Sequence, residues 1–138
     1  MKDPRLSILN LLKEYWSLAS PNKEDIVWAV TPLNTEIDAP QICVTDADVD
    51  HKLIASKIYQ VTHKMKIGAY VKGVENQKQK YEMKEEIRRI IANYPKEAAD
   101  IDFIFLGEDW KDSDDLTLKP PLLGVEGIVT AVYFIIKS

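Results

Sequence analysis

A chain of 138 residues, 46% of them hydrophobic and 29% charged, has the make-up of one ordinary globular domain and needs no disulfide or metal staple to bury a core. Its 22 acidic residues against 18 basic ones leave a net charge of −4, which argues against a protein whose main task is gripping a nucleic-acid backbone. The lone cysteine, Cys43, excludes an intramolecular disulfide framework and a cysteine-based zinc site.

Asp3-Pro4 is a helix start, because Asp can accept from free backbone amides and Pro loses nothing at the first helical position. Ile8, Leu11, Leu12, Tyr15 and Trp16 then recur at helical spacing, until Ser20-Pro21-Asn22 ends the run. Lys13 and Glu14 interrupt that stretch too early for a secretory signal. No apolar run approaches the roughly 18–20 residues of a membrane span. Ile26–Val30 reads as a short strand, and Pro40–Thr45 as a second one entered through a proline. The acidic segment 46–56 reads as a loop.

Residues 57–72 carry the clearest strand pattern. Tyr59, Val61, Met65, Ile67, Ala69 and Val71 alternate with Gln60, Thr62, Lys64, Lys66, Tyr70 and Lys72, which is the signature of a sheet buried on one side. Asn76, with Gln79 three residues later, has the spacing of a capping box. It opens a helix whose stripe is Met83, Ile87, Ile90, Ile91 and Tyr94, stopped by Pro95. Ile101–Leu106 predicts a short strand, 107–119 an acidic loop around Trp110, and Leu122–Ile136 a long final strand. The expected fold is one α+β domain over 1–138. It has two main helices against a mostly antiparallel sheet of about five strands, in the order α-β-β-β-α-β-β.

The final strand carries apolar residues on both faces. One face holds Leu123, Val125, Gly127, Val129, Ala131, Tyr133 and Ile135, with Gly127 and Ala131 small enough for a helix to approach. The other holds Leu122, Ile128, Val132, Phe134 and Ile136, broken by Gly124, Glu126 and Thr130. Either the two helices cover opposite faces, or a neighbouring subunit covers the second one.

Catalytic and metal-binding patterns are weak. Asp46, Asp48 and Asp50 mimic the opening of a calcium loop. However, His51 stands where the turn requires Gly, and Lys57 where a bidentate Glu should close the site. His63 shares a strand face with Val61 and Met65 and reads as a core residue, and His51 has no ligand partner at useful spacing. Cys43 lies within a strand, as a buried small hydrophobe. Glu108, Asp109, Asp112, Asp114 and Asp115 surround Trp110, which suggests a docking element with an aromatic anchor and Asp109 and Asp112 beside it. A Trp folded back onto the domain is the alternative. No nucleophile elbow or phosphate-binding glycine loop occurs. No catalytic residue, cofactor or metal is therefore expected.

Several segments together resemble a known class. They are the N-terminal helix ending in Tyr15-Trp16, the Pro40–Val44 strand and the strand ending Ile67-Gly68-Ala69-Tyr70-Val71-Lys72. The helix around 84–90 and the run from Pro120-Pro121-Leu122-Leu123 to Phe134 complete the set. In order and texture the chain is similar to the tail-terminator and tail-completion proteins of tailed viruses of bacteria and archaea and their integrated proviruses. That resemblance implies helices packed on a mostly antiparallel sheet. It also implies a homo-oligomeric ring, usually a hexamer, at the head-proximal end of the tail tube, assembled in the host cytoplasm and carried in the virion. The implied partners are further copies of the chain, the tail-tube protein and the head connector, without specific nucleic-acid or membrane binding. A non-viral binding module and a carboxylate-based enzyme remain the alternatives.

Overall fold

The computed structural model describes residues 3–137. Helix α1 spans Pro4–Tyr15, with Asp3 accepting from the Arg5 amide at its N-cap. Three strands follow: β1 (Val27–Ala29), β2 (Gln41–Ala55) and β3 (Ile58–Lys72). A single 3-10 turn at Val74–Asn76 leads into α2 (Gln77–Asn93), and β4 (Phe103–Leu106), β5 (Lys111–Asp112) and β6 (Leu122–Ile136) complete the chain. The domain is α+β, as the sequence predicts. The two-residue β5 is the addition that makes the sheet six-stranded rather than about five.

The strands lie in the order β1-β2-β3-β6-β4, with β5 also on β6. All pairings are antiparallel except β1 with β2. The backbone of the sheet is β3 against β6, paired without a register shift from Ile58 opposite Ile136 to Lys72 opposite Leu122.

Cross-strand partners share a face, so this register carries the alternation of β3 onto β6. Val61, Met65, Ile67, Ala69 and Val71 join Leu123, Val125, Val129, Ala131 and Tyr133 in one cluster. Ile8, Leu9, Leu11 and Leu12 of α1 and Met83, Ile87, Ile90 and Ile91 of α2 pack into the same cluster. Both helices therefore cover the same side of the sheet, and the possibility that they split between the two faces is excluded.

Three local expectations are corrected. Segment 46–56 is not a loop, because β2 runs through it to Ala55 and pairs with β3, with irregularities at Asp46/Asp48 and Leu53/Ala55. The acidic side chains can sit there because they lie along an edge in water, where charge costs little. Segment 107–119 is likewise partly sheet, through β5 and a bridge between Asp115 and Leu122. Finally, Asn76 makes no side-chain cap; its amide instead donates to the Lys72 carbonyl at 2.6 Å, and Gln79 reaches Ser20. The preceding 3-10 turn takes over the helix start that a capping box would have made.

The two helices are joined by a buried polar contact. Glu86 of α2 is 5% exposed and accepts from the backbone amide of Ser17, from Ser17 Oγ at 2.7 Å and from Arg89 Nε at 2.8 Å. The same Arg89 donates to the Tyr15 carbonyl at 2.8 Å. The end of α1 is thereby fixed to the middle of α2. Alongside, Tyr15 stacks on Tyr94 with centroids 3.7 Å apart.

Candidate functional site: the uncovered sheet face

Among the described residues, the face turned away from the helices is covered only at one end. There Cys43, Tyr70 and Leu122 form a small second cluster, roofed by Leu33 and Leu118 from two loops. Gly124 permits this closure, since a Cβ there would lie 2.6 Å from the Tyr70 ring. Beyond Glu126 the roof stops. Ile128, Phe134 and Ile136 of β6 are exposed and Val132 is half-buried. On β4, Phe103 is opposite Val132 and Phe105 opposite Thr130. Together, around the buried Thr130, they make an apolar stripe along β6 and β4, whose five exposed members are 37% to 78% accessible. Exposed apolar side chains scattered singly are normal, but a contiguous row on one face marks an interface.

Four of the five β6 residues predicted for an interface, Ile128, Val132, Phe134 and Ile136, therefore lie on this stripe. Leu122 does not: it is 5% exposed and packed within the chain. It shares the parity of the others, but the loops carrying Leu33 and Leu118 close over its end of the strand. Phe103 and Phe105 belong to the stripe although the sequence reading treats them only as strand residues. Their signal was present, since two aromatics flank the core residue Ile104 at alternate positions.

Trp110 is half-buried and packed rather than free in its loop. It packs against the main core on the helix side of the sheet, over Gly127, where an added Cβ would lie 2.8 Å from the indole ring. The space at Gly127 thus admits this ring rather than a helix. Lys84 stands 5.9 Å from the centroid of the same ring. Gly127→Val should overpack this contact and destabilise the domain by about 1–3 kcal/mol. Equilibrium unfolding would measure the loss, and a red-shifted Trp emission would report the displaced indole.

Of Trp110's acidic neighbours, Asp109 and Asp112 are both exposed, but Asp112 is held from beneath. Lys80, fully buried on α2, donates to Asp112 at 3.1 Å and Asp114 at 3.3 Å. Burial pulls the Lys80 ammonium down, but the two carboxylates outweigh it and hold its pKa above the ordinary lysine value. Asp114 also accepts from the Gly124 amide at 3.0 Å. This acidic segment is thus fastened to α2 and β6.

Two further polar groups could be mistaken for catalytic sites. A cleft of about 200 Å³ on the open face is lined by Cys43, Lys66, Tyr70 and Glu126 among others. Tyr70 donates its hydroxyl to Glu126, which also lies 3.5 Å from Lys66 Nζ. Burial, reinforced by Glu126, pushes the Tyr70 phenol far above its usual range, and burial pushes the Cys43 thiol up to about 11. Both groups stay protonated at neutral pH and are poor nucleophiles. Cys43 should accordingly resist a thiol reagent at pH 8 in the native protein and react fully in denaturant; equal rates in both states would refute its burial.

The second group centres on His63, which is 6% exposed. Its Nε2 is 2.7 Å from Asp46 and its Nδ1 3.2 Å from the Tyr133 hydroxyl. With both ring nitrogens engaged, His63 offers no free ligand atom, in keeping with its expected place in the core. Asp46 also lies 3.9 Å from Arg5, which is paired with Asp3 at 2.7 Å. The cluster therefore joins the start of α1 to the bend in β2. His51 is exposed, with Lys137 Nζ 2.7 Å from its Nδ1. Among the described residues, no three His, Cys, Asp or Glu side chains are placed to hold a metal ion. No described helix is long and apolar enough to cross a membrane.

The sequence matches no protein-family model, and no curated protein is similar enough to it to count as a relative.

Proposed function

We propose that this chain is a structural assembly subunit of the tail-terminator kind. Copies associate into a ring that caps the head-proximal end of a tail tube, stops its growth and joins the head connector. The observation that carries the proposal is the stripe of Phe103, Phe105, Ile128, Phe134 and Ile136 on a sheet face that neither helix covers. If a large apolar side chain presents roughly 200 Å², these residues leave on the order of 500 Å² in water. That is the upper end of what an isolated domain normally tolerates.

Two further features support this reading. Helices packed on a mostly antiparallel sheet are the architecture that the resemblance implies. The polar clusters that could have served an enzyme are internally occupied: Asp112 and Asp114 by Lys80, and Glu126 by Tyr70 and Lys66. Trp110 supports a docking role less than the stripe does, because its half-buried ring packs against the domain's own core.

The test is sedimentation over a wide concentration range, together with electron microscopy of the chain mixed with tail tubes. Species larger than the 15.8 kDa monomer, or density capping one end of the tubes, are expected. A strict monomer at high concentration that leaves tubes bare and growing would defeat the proposal.

A further inference from the structure

The segment between β4 and β6 reaches both faces of the sheet. Residues 111–115 run along the outer edge of β6, with Lys111 opposite Glu126 and Asp112 opposite Val125. The Ser113 amide then donates to the Gly124 carbonyl at 2.8 Å, and Asp115 and Leu122 exchange backbone bonds of 2.8 and 3.0 Å. Side chains alternate along such an edge. Asp112 and Asp114 meet Lys80 on the helix side. Ser113 lines the cleft that holds Cys43, Tyr70, Lys66 and Glu126 on the open side. Further along, Leu118 lies over Cys43, Tyr70 and Leu122. One strap thus joins a fastening on one side of the sheet to a roof on the other.

The fastening is polar. From 111 to 120 no residue is buried; Ser113 and Leu118 are half-buried and the rest exposed. The fully buried group is the one beneath, Lys80, whose Nζ also stands 4.5 Å from the centroid of the Tyr81 ring. A closure of this kind opens at small cost. Taking a lysine and two aspartates out of water costs about as much as their attraction returns, and lifting the strap gives all three back to water. Leucines in their place would expose apolar surface on opening; here Leu118 alone adds such a term. Segments with few buried apolar contacts are the ones that open locally. The rest of the sheet does not need the strap, because β6 stays paired with β3 over the same residues, Gly124 opposite Tyr70 and Glu126 opposite Gly68.

We infer that residues 111–118 form an ion-latched flap that opens as a unit while the rest of the domain stays folded, uncovering the Cys43 cleft. The latch is Lys80 with Asp112 and Asp114. Trp110, seated on Gly127, fixes the near end of the flap, and β6 fixes the far end. The inference is independent of the assembly reading.

Cys43, the single cysteine of the chain, reports the opening. The full chain is labelled with an excess of a chromogenic disulfide reagent, in urea from zero to just below the unfolding transition. Wild-type labelling should be slow and nearly independent of urea, since a local opening exposes little surface. A rate that climbs from zero urea with the full slope of global unfolding would overturn the inference, because unfolding alone would then reach Cys43. So would a thiol that never labels short of the transition.

Asp112→Asn with Asp114→Asn leaves Lys80 buried without a counter-charge. This variant should label at least about 10-fold faster, with the urea dependence still flat and native circular dichroism. Adding Lys80→Met removes the charge and fills its place, and should return the rate to within about threefold of the wild type. The latch is refuted if the aspartate variant labels like the wild type, or if its Lys80→Met derivative labels as fast as it does. It is refuted equally if the aspartate variant loses its native circular dichroism in the absence of urea, since the pair would then support the whole domain and not a flap.

Discussion

Glu86→Ala is expected to lower the unfolding free energy by about 3 kcal/mol, measured by denaturant titration at pH 7. The side chain is 5% exposed and accepts from Ser17 twice and from Arg89. Its removal leaves the Ser17 amide without its partner at the junction of the two helices. Arg89, whose side chain is 40% exposed, can turn to water, which keeps the loss below that of a fully buried pair.

The same site makes stability depend on pH. Burial pushes the Glu86 carboxyl up, but hydrogen bonds from Arg89 and Ser17 outweigh it and hold its pKa below the ordinary glutamate value. A carboxyl whose pKa is depressed in the folded state contributes stability above its unfolded pKa and loses it as pH falls through the folded one. The wild type should therefore weaken progressively below about pH 4.5, the ordinary glutamate value. Glu86→Gln should show a smaller acid-induced loss between pH 6 and pH 3. Identical acid profiles for the two proteins would remove Glu86 from the account.

Phe105→Asp combined with Phe134→Asp should weaken self-association at least about 100-fold, or roughly 2.7 kcal/mol, with little change in the monomer's unfolding midpoint. Both residues are about half in water, 46% and 49% exposed, so a carboxylate at either position can reach solvent in the monomer. In an assembled ring the same carboxylates would be buried without a partner. Ile104→Ala, between the two aromatics on β4, should do the reverse. It is fully buried, and its truncation should cost about 2–5 kcal/mol of folding stability while leaving the stripe's composition intact. Sedimentation of both variants beside their unfolding curves separates the two effects. Equal association by wild type and the aspartate variant would remove the stripe as the contact surface.

Periodicity made most of the elements legible. Alternation in β3 and β6 assigned their residues to two faces, and the final strand runs over Leu122–Ile136 as predicted. The stripes of both helices, from Ile8 to Leu12 and from Met83 to Ile91, are buried as their spacing requires. These signals are local: each is written in the side chains of one element and needs no knowledge of its neighbours. The buried place of His63 followed from the same alternation.

What the tertiary structure decided is how those elements meet. A strand apolar on both sides fits helices on opposite faces or on one, and only the assembled sheet puts α1 and α2 together and leaves the Phe134 side bare. The acidic run 46–55 has no strand pattern of its own; its extended form comes from hydrogen bonding to β3, a partner that periodicity within the run cannot reveal. Leu122 and Ile128 have the same parity, yet loops carrying Leu33 and Leu118 cover the first and leave the second in water. Trp110, at the centre of an acidic loop, turns inward because Gly127 leaves space for its ring. Alternation within a strand thus distinguishes one side of the sheet from the other, while the packing of the rest of the chain decides which of those sides is left for a partner.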